Sequence, residues 1–198
     1  MRLCRIYKAS YLLGVMPTEW RKVKVIFLPK PDKPTYSIPK AFRPISLMSF
    51  MMKIMEKLLL WRFEDTCMVA RPLRDEQHGF RKGRSCDSCL TAMYGEIEHA
   101  LVKKQYAVAV YLDIEGCYDN IQNTAMSRAL RERGAEEEYI CWYEDFFYHR
   151  YNKIDHKGVR VEVYPTQGAP QGGVGSPLLW SLLSDELIQR IIKLRYMH

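Results

Sequence analysis

The sequence predicts a mixed α+β fold, and three observations carry that expectation. The run Ala107-Val108-Ala109-Val110-Tyr111-Leu112-Asp113 is short, apolar and rich in β-formers, and it ends in a carboxylate. The stretch Gln167-Gly168-Ala169-Pro170-Gln171-Gly172-Gly173-Val174-Gly175-Ser176-Pro177 is a glycine-rich turn that delivers the chain into an apolar helix. Between and before them, segments with helical periodicity alternate with β-branched runs. At 198 residues and 47% hydrophobic content the chain can bury one large core or two small ones.

Taken in order, a helix is expected over residues 2–13, with Leu3, Ile6, Tyr7 and Ser10 on one face and Gly14 and Pro17 as its stop. Val23–Leu28 reads as a strand covered on both faces. Pro29, Pro31, Pro34 and Pro39 with Lys30, Lys33 and Lys40 make a stiff basic loop. A helix from near Ser49 to Cys67 should bury Met52, Met55, Leu58, Leu59 and Trp61. A second basic loop, Gln77–Arg84, closes on Ser85 as an N-cap. The helix that follows, to about residue 104, should bury Cys86, Leu90, Met93, Ile97 and Leu101. Tyr106–Leu112 is expected as the central strand. Asn123 caps a helix to Arg133, and a further helix runs from Glu136 to Tyr148. Residues 153–163 form a hairpin turning at His156-Lys157-Gly158. Ser176 and Pro177 open a final helix to Leu194 as N-cap and first helical residue.

Thirty Lys and Arg against 23 Asp and Glu give a charge of +7, which suits a polyanionic partner. The six cysteines lack the dense spacing of a secreted disulfide scaffold, and Cys86-x-x-Cys89 has no second pair to complete a zinc site, so core packing is expected there. No stretch reaches the roughly 18 apolar residues of a membrane span. Asp113, at the end of a buried strand, would emerge at the sheet edge and serve as one carboxylate ligand of a hard cation, with the Ile114 carbonyl beside it. Asp119 and Asn120 read as caps of the local turn. Four glycines between 168 and 175 allow close backbone approach to a ligand, and Gln171 among them can hydrogen-bond a base edge or backbone. No Gly-Lys-Ser/Thr closes the loop, so it is not a P-loop. A metal-binding acid facing such a loop is an arrangement that nucleotidyl transfer uses.

Six collinear blocks then point to a family. Leu28-Pro29-Lys30-Pro31-Asp32-Lys33-Pro34, Phe42-Arg43-Pro44-Ile45-Ser46-Leu47, Glu56-Lys57, Gln77-His78-Gly79-Phe80-Arg81-Lys82-Gly83-Arg84-Ser85, Leu112–Asn120 and Gly168–Leu179 resemble successive blocks of the reverse transcriptases of non-LTR (LINE-type) retrotransposons. The resemblance implies a right-hand polymerase, with fingers over residues 1–105 and part of a ferredoxin-like palm over 106–198, without a thumb. It implies Mg²⁺-dependent RNA-directed DNA synthesis (two ions in the complete enzyme, with Mn²⁺ as a substitute) on an RNA template, with a DNA primer and dNTPs and no membrane. By position, Asp113 is the catalytic metal-binding aspartate, with the backbone of Ile114. Arg43, Lys53, Tyr118, Gln171 and Gly172 bind nucleotide, with Tyr118 as the aromatic sugar gate. Phe80, Arg81 and Pro170 face the template. Cys117-Tyr118 stands where Ala-Phe is usual, and Gly175 stands where Leu is usual. The aromatic-x-Asp-Asp block that would supply the remaining ligands is not among these residues, so the fragment is expected to be inert alone. A non-catalytic RNA-binding remnant is the alternative, and a group II intron maturase or telomerase-like enzyme is a third. The lifestyle of such elements implies nucleus and cytoplasm.

Overall fold

The computed structural model describes residues 2–156 and 158–195. Helix α1 (Arg2–Leu12) precedes strands β1 (Lys22–Pro29) and β2 (Phe42–Leu47), then α2 (Phe50–Phe63) and α3 (Cys86–Val102). Helices α4 (Asn123–Glu132) and α5 (Glu137–His149), strands β3 (Tyr151–His156) and β4 (Val159–Val163), and α6 (Ser176–Arg195) complete the α+β chain. The four strands form one sheet in the order β2-β1-β3-β4. β1 is antiparallel to β2 and parallel to β3, which is antiparallel to β4. The sheet therefore joins strands from both sides of residue 105, and a single apolar cluster runs from Tyr7 to Leu182.

Helix α5 is the centre of that cluster. Tyr139, Ile140, Trp142, Tyr143, Phe146 and Phe147 are all buried, because their spacing gathers them on one broad apolar face while Glu137, Glu138 and Tyr148 fall on the exposed one. It packs against α1 and α4, and α4 packs against α6. The indole of Trp142 donates to Ser10 Oγ at 3.0 Å, which explains a buried serine on α1. Asp145 accepts from the Met16 backbone N–H at 2.7 Å and pairs with Arg21 at 2.9 Å, fixing the entry to β1. Asn123 Nδ2 donates to Thr166 O at 3.1 Å, and its neighbour Gln122 is the N-cap of α4. Asn123, expected as the cap, thus lies one residue inside the observed one, its side chain spent on a tertiary contact.

Several sequence expectations hold. α2 starts at Phe50, next to the expected Ser49, which the structure shows to be its cap through Met52 N, and Ser85 caps α3 as expected, in a reciprocal capping box with Ser88. The hairpin forms as β3 and β4, while Lys157 of its expected turn lies outside the described residues. Others are corrected. β1 buries one face only, through Val23 and Val25, because helices cover a single side of the sheet. On α1, Tyr7 and Ser10 are buried but Leu3 and Ile6 are exposed. On α2 the buried stripe is Met52, Met55, Glu56, Leu59 and Phe63, a spacing that turns Leu58 and Trp61 outward. α6 begins one residue earlier than a Ser176 cap would place it, with Ser176 already helical. The Gly175 carbonyl accepts the first helical bond from Leu179 N, and Ser176 Oγ donates to Pro170 O instead.

The largest correction concerns residues 86–113. Helix α3 buries none of its side chains, so Cys86, Cys89, Leu90 and Leu101 are exposed and both thiols are free. The expected strand Tyr106–Leu112 is extended but unpaired. Val108 is 86% and Leu112 80% exposed, and no backbone N–H from Tyr106 to Asp113 donates to another backbone group among the described residues. β-propensity is a local property, whereas a strand exists only where a neighbour completes its ladder. The segment has no place in the four-stranded sheet and shares a groove with α3. Asp113 is accordingly exposed and does not emerge from a buried strand.

Two outcomes follow. Phe146→Ala, at a fully buried site, should cost about 3–5 kcal/mol in denaturant unfolding, whereas Leu90→Ala on α3 should stay within about 0.5 kcal/mol. Comparable losses at both positions would contradict the burial described. In hydrogen exchange, amides 106–113 should exchange at nearly unprotected rates while Val25 and Ile26 of β1 stay protected. Protection of 106–113 at the level of β1 would show a paired strand.

Candidate functional site

The glycine-rich loop Gln167–Gly175 is pinned along its whole length. At its entry, the buried Arg150 donates from Nη2 to Gln167 O at 2.9 Å and to Gly168 O, with its guanidinium over Phe146 and Phe147 of α5. Burial lowers the Arg150 pKa to about 10, and its Nη1 has no partner among the described residues. In the middle, Ser46 N of β2 donates to Gln171 O at 2.7 Å. At the exit, Glu56 of α2 accepts from Val174 N at 3.0 Å and Gly175 N at 3.4 Å. Its carboxyl is 1% exposed, and burial raises its pKa to about 7 against the partial opposition of the two backbone bonds and Lys53.

Close approach explains two of the glycines. Gly172 has φ +117°, and a side chain there would begin 2.7 Å from Ser46 O, so only glycine lets the loop run along β2. A side chain at Gly175 would begin 2.1 Å from the Tyr143 hydroxyl, on α5. The leucine usual at this position in the family it resembles has no room here. The loop is also stitched to the segment after Asp113. Ala169 N donates to Tyr118 O at 2.8 Å and Gly168 N to Ile121 O at 2.6 Å, and Gln122 bridges Gln167. Asn120 closes its own turn onto Glu115 O at 3.2 Å, as expected of a turn cap, and Asp119 lines the cleft beside it.

Of the expected site residues, Pro170 and Gln171 share one cleft. A cleft of about 230 Å³ is lined by Val25 and Ser46 of the sheet, Asp119, Arg150, and the loop residues Pro170 and Gln171. Pro170 is buried and Gln171 half-buried. Arg43 lies on β2 three residues before Ser46, paired with Leu28, exposed and without a hydrogen-bond or ion-pair partner among the described residues. Lys53 is half-buried one turn before Glu56 on α2. The Tyr118 ring packs 6.1 Å from Trp180 of α6, and burial raises its phenol pKa.

Others sit apart. Phe80, at φ +53°, and Arg81 line a separate hollow with Leu178 and Ser181 on the first turns of α6. They are set there by Arg81 Nη1 on Arg74 O at 2.6 Å and by Asp185, which accepts from Arg74 N at 2.7 Å and pairs with Arg133. Ile114 lines a groove with Trp180 and Leu187. Asp113 itself has no ion-pair or hydrogen-bond partner among the described residues. Lys40 holds the neighbouring Glu115 at 2.8 Å and lowers its pKa, an exposed pair that contributes little. No three His, Cys, Asp or Glu side chains converge among the described residues.

Sequence reasoning missed the two residues that clamp the loop. Glu56 was legible only as part of a family block, yet an acid at the i+4 position from Met52 and one residue after Met55 falls on the buried stripe. Such a residue must be paired or hydrogen-bonded. Arg150, directly after the aromatic run of α5, carried the same signal.

Comparison with known proteins gives the family. The family model for "Reverse transcriptase (RNA-dependent DNA polymerase)" matches residues 28–198. The chain is 28% identical, over 93% of its length and 20% of the relative's, to a Drosophila melanogaster protein described as "Probable RNA-directed DNA polymerase from transposon BS". It is 25% identical, over 93% of its length and 20% of the relative's, to the RNA-directed DNA polymerase from mobile element jockey of the same species. The chain thus spans about a fifth of the length of the curated relatives it matches. In fold it is similar to apo telomerase from Candida tropicalis, truncated from its C-terminal domain, with a TM-score of 0.58, 16% identity, and coverage of 98% of this chain and 44% of that one. With the family model spanning most of its length and non-LTR retrotransposon polymerases as its relatives, this chain belongs to the reverse transcriptase family.

Proposed function

We propose that this chain is the nucleotide- and template-facing part of an RNA-directed DNA polymerase of a non-LTR retrotransposon, acting on an RNA template, a DNA primer and dNTPs. The observation that carries the reading is the glycine-rich loop, held rigid at entry, middle and exit while Gln171 faces a cleft beside β2. Preorganisation of this kind is what orienting a nucleotide requires. Arg43, exposed and unpaired among the described residues, and Lys53 are the cations for the triphosphate, and Arg can grip it bidentately. Tyr118, braced by Trp180, supports the sugar. Phe80, Arg81 and Pro170 follow the template.

Magnesium is the ion this chemistry calls for, and Asp113 with the Ile114 carbonyl would supply part of its shell. Bound there, the metal would stabilise charge on the phosphate oxygens as the primer 3′-hydroxyl attacks the α-phosphate. Two ions about 4 Å apart need a second carboxylate site, and the described residues do not provide it, so the donor set fits one ligand position rather than a complete centre. The division into fingers (1–105) and palm (106–198), and action in the cytoplasm and nucleus, belong to the same reading. Among the described residues no helix is long and apolar enough to cross a membrane.

Fluorescence anisotropy with poly(rA)/oligo(dT) tests the proposal. Binding should fall steeply with salt and be strengthened by dTTP only when Mg²⁺ is present. Arg43→Ala should weaken the dTTP-dependent part about tenfold or more, the loss of a charge-assisted contact. Asp113→Asn should remove the Mg²⁺ effect and leave the salt-dependent part. Binding indifferent to Mg²⁺ and dTTP, and unchanged by Asp113→Asn, would instead identify a non-catalytic RNA-binding remnant.

A further inference from the structure

Among the described residues, Glu56 is the one buried acid whose carboxylate is spent on the glycine-rich loop. Its two oxygens take the two N–H groups immediately before α6, the positive end of a 20-residue helix. The other groups facing it are few. Lys53 lies on the same helix, the Tyr139 and Tyr143 side chains approach from α5, and the loop from Pro170 to Ser176 offers no titratable side chain. The two tyrosine hydroxyls are buried, lie close enough to shift one another's pKa, and have no well-formed hydrogen bond to any other group among the described residues. That of Tyr143 and Glu56 Oε1 lie against the same point, 2.1 and 3.4 Å from where a side chain at Gly175 would begin.

We propose that Glu56 is a positioning residue for the polymerase reaction, its ionised carboxylate fixing the backbone of Val174 and Gly175 and thereby the face that Gln171 and Gly172 turn to the nucleotide. The inference rests on the proposed reading of that loop as nucleotide-facing. The ionised group accepts both N–H bonds. A protonated one has a single carbonyl oxygen, and its own O–H needs an acceptor. The partnerless Tyr143 oxygen is that acceptor. On protonation Oε1–H turns to Tyr143, the longer bond from Gly175 N is given up, and the loop exit is released. The orphaned hydroxyl, unexplained by packing alone, is then the second station of a two-position acid.

Burial places the exchange near neutrality, since the Glu56 pKa is raised from 4.5 to about 7. A carboxyl raised on folding stabilises the fold fully below its unfolded value and loses that contribution as pH climbs through its folded one. Folding stability from Glu56 therefore declines between about pH 4.5 and 7, while the clamped form of the loop gains population over the upper part of the same range. Any carboxyl raised by burial would show that decline in stability, so the reading that marks positioning is nucleotide-dependent binding that follows the clamped form and not the stability.

The experiment follows the 198-residue chain and Glu56→Gln, which holds one acceptor oxygen at every pH, by three readouts: dTTP-dependent binding of poly(rA)/oligo(dT), denaturant midpoint, and the amide signals of Val174 and Gly175. In the wild type, binding should weaken about tenfold from pH 8 to pH 6 as the competent fraction falls. The midpoint should rise over that interval, and both amides should titrate near pH 7. Glu56→Gln should bind at the wild type's pH 6 level throughout, with flat amide signals. Tyr143→Phe, lacking the alternative acceptor, should shift the transition to lower pH. A wild-type binding profile flat across pH 7, or a transition that survives in Glu56→Gln, overturns the inference and leaves the nucleic-acid reading standing. Absence of dTTP-dependent binding at every pH overturns the functional reading instead. The amide titration still decides whether Glu56 holds the loop, because it needs no ligand.

Discussion

Burial of α5 is the constraint on which the rest of the structure depends. Its aromatics join α1, α4 and the loop in one core, and the two charged groups that clamp the loop, Arg150 and Glu56, lie beside them. Arg150 stacks on Phe146 and Phe147 as it grips the loop entry, and Tyr143 limits position 175 to glycine at the loop exit. A flexible glycine-rich sequence is thereby given one conformation by a rigid apolar surface. The glycines supply permission to bend, and the aromatic helix supplies the shape.

Two buried charges of opposite sign finish the work, each satisfied by backbone rather than by the other. Arg150 takes carbonyls at the entry and Glu56 takes N–H groups at the exit. Backbone partners hold a loop irrespective of which side chains it carries, so residues facing the cleft are free to serve a ligand. The arrangement also accounts for the departure at Gly175. A leucine there and a tyrosine at 143 are mutually exclusive, and this chain has the tyrosine.

Much of this was legible from residue order. The start of α2 near residue 49, the capping serine at 85, the buried methionines of α2, the β3–β4 hairpin and the start of α6 to within one residue follow from local chemistry that tertiary packing did not override. Six ordered blocks carried the family. The failures share a cause. Val108, Val110 and Leu112 have the propensity of a strand, and Leu90, Met93 and Ile97 the spacing of a buried face, but neither propensity nor spacing contains the neighbour that each requires. Glu56 and Arg150 were hidden for the converse reason. Their partners are main-chain atoms more than 100 and about 17 residues away, which no side-chain pattern encodes.

The unpaired segment Ala107–Leu112 carries a liability separate from catalysis. It has no charge and no proline, and its free N–H and C=O groups lie open to solvent along with its valines. Such an edge is self-complementary, and like segments stack into cross-β fibrils. Purified by itself at high concentration, this chain would be drawn into aggregates through six residues that contribute nothing to its core. A lysine in place of Val108 or Val110 would be the gatekeeper that keeps it in solution.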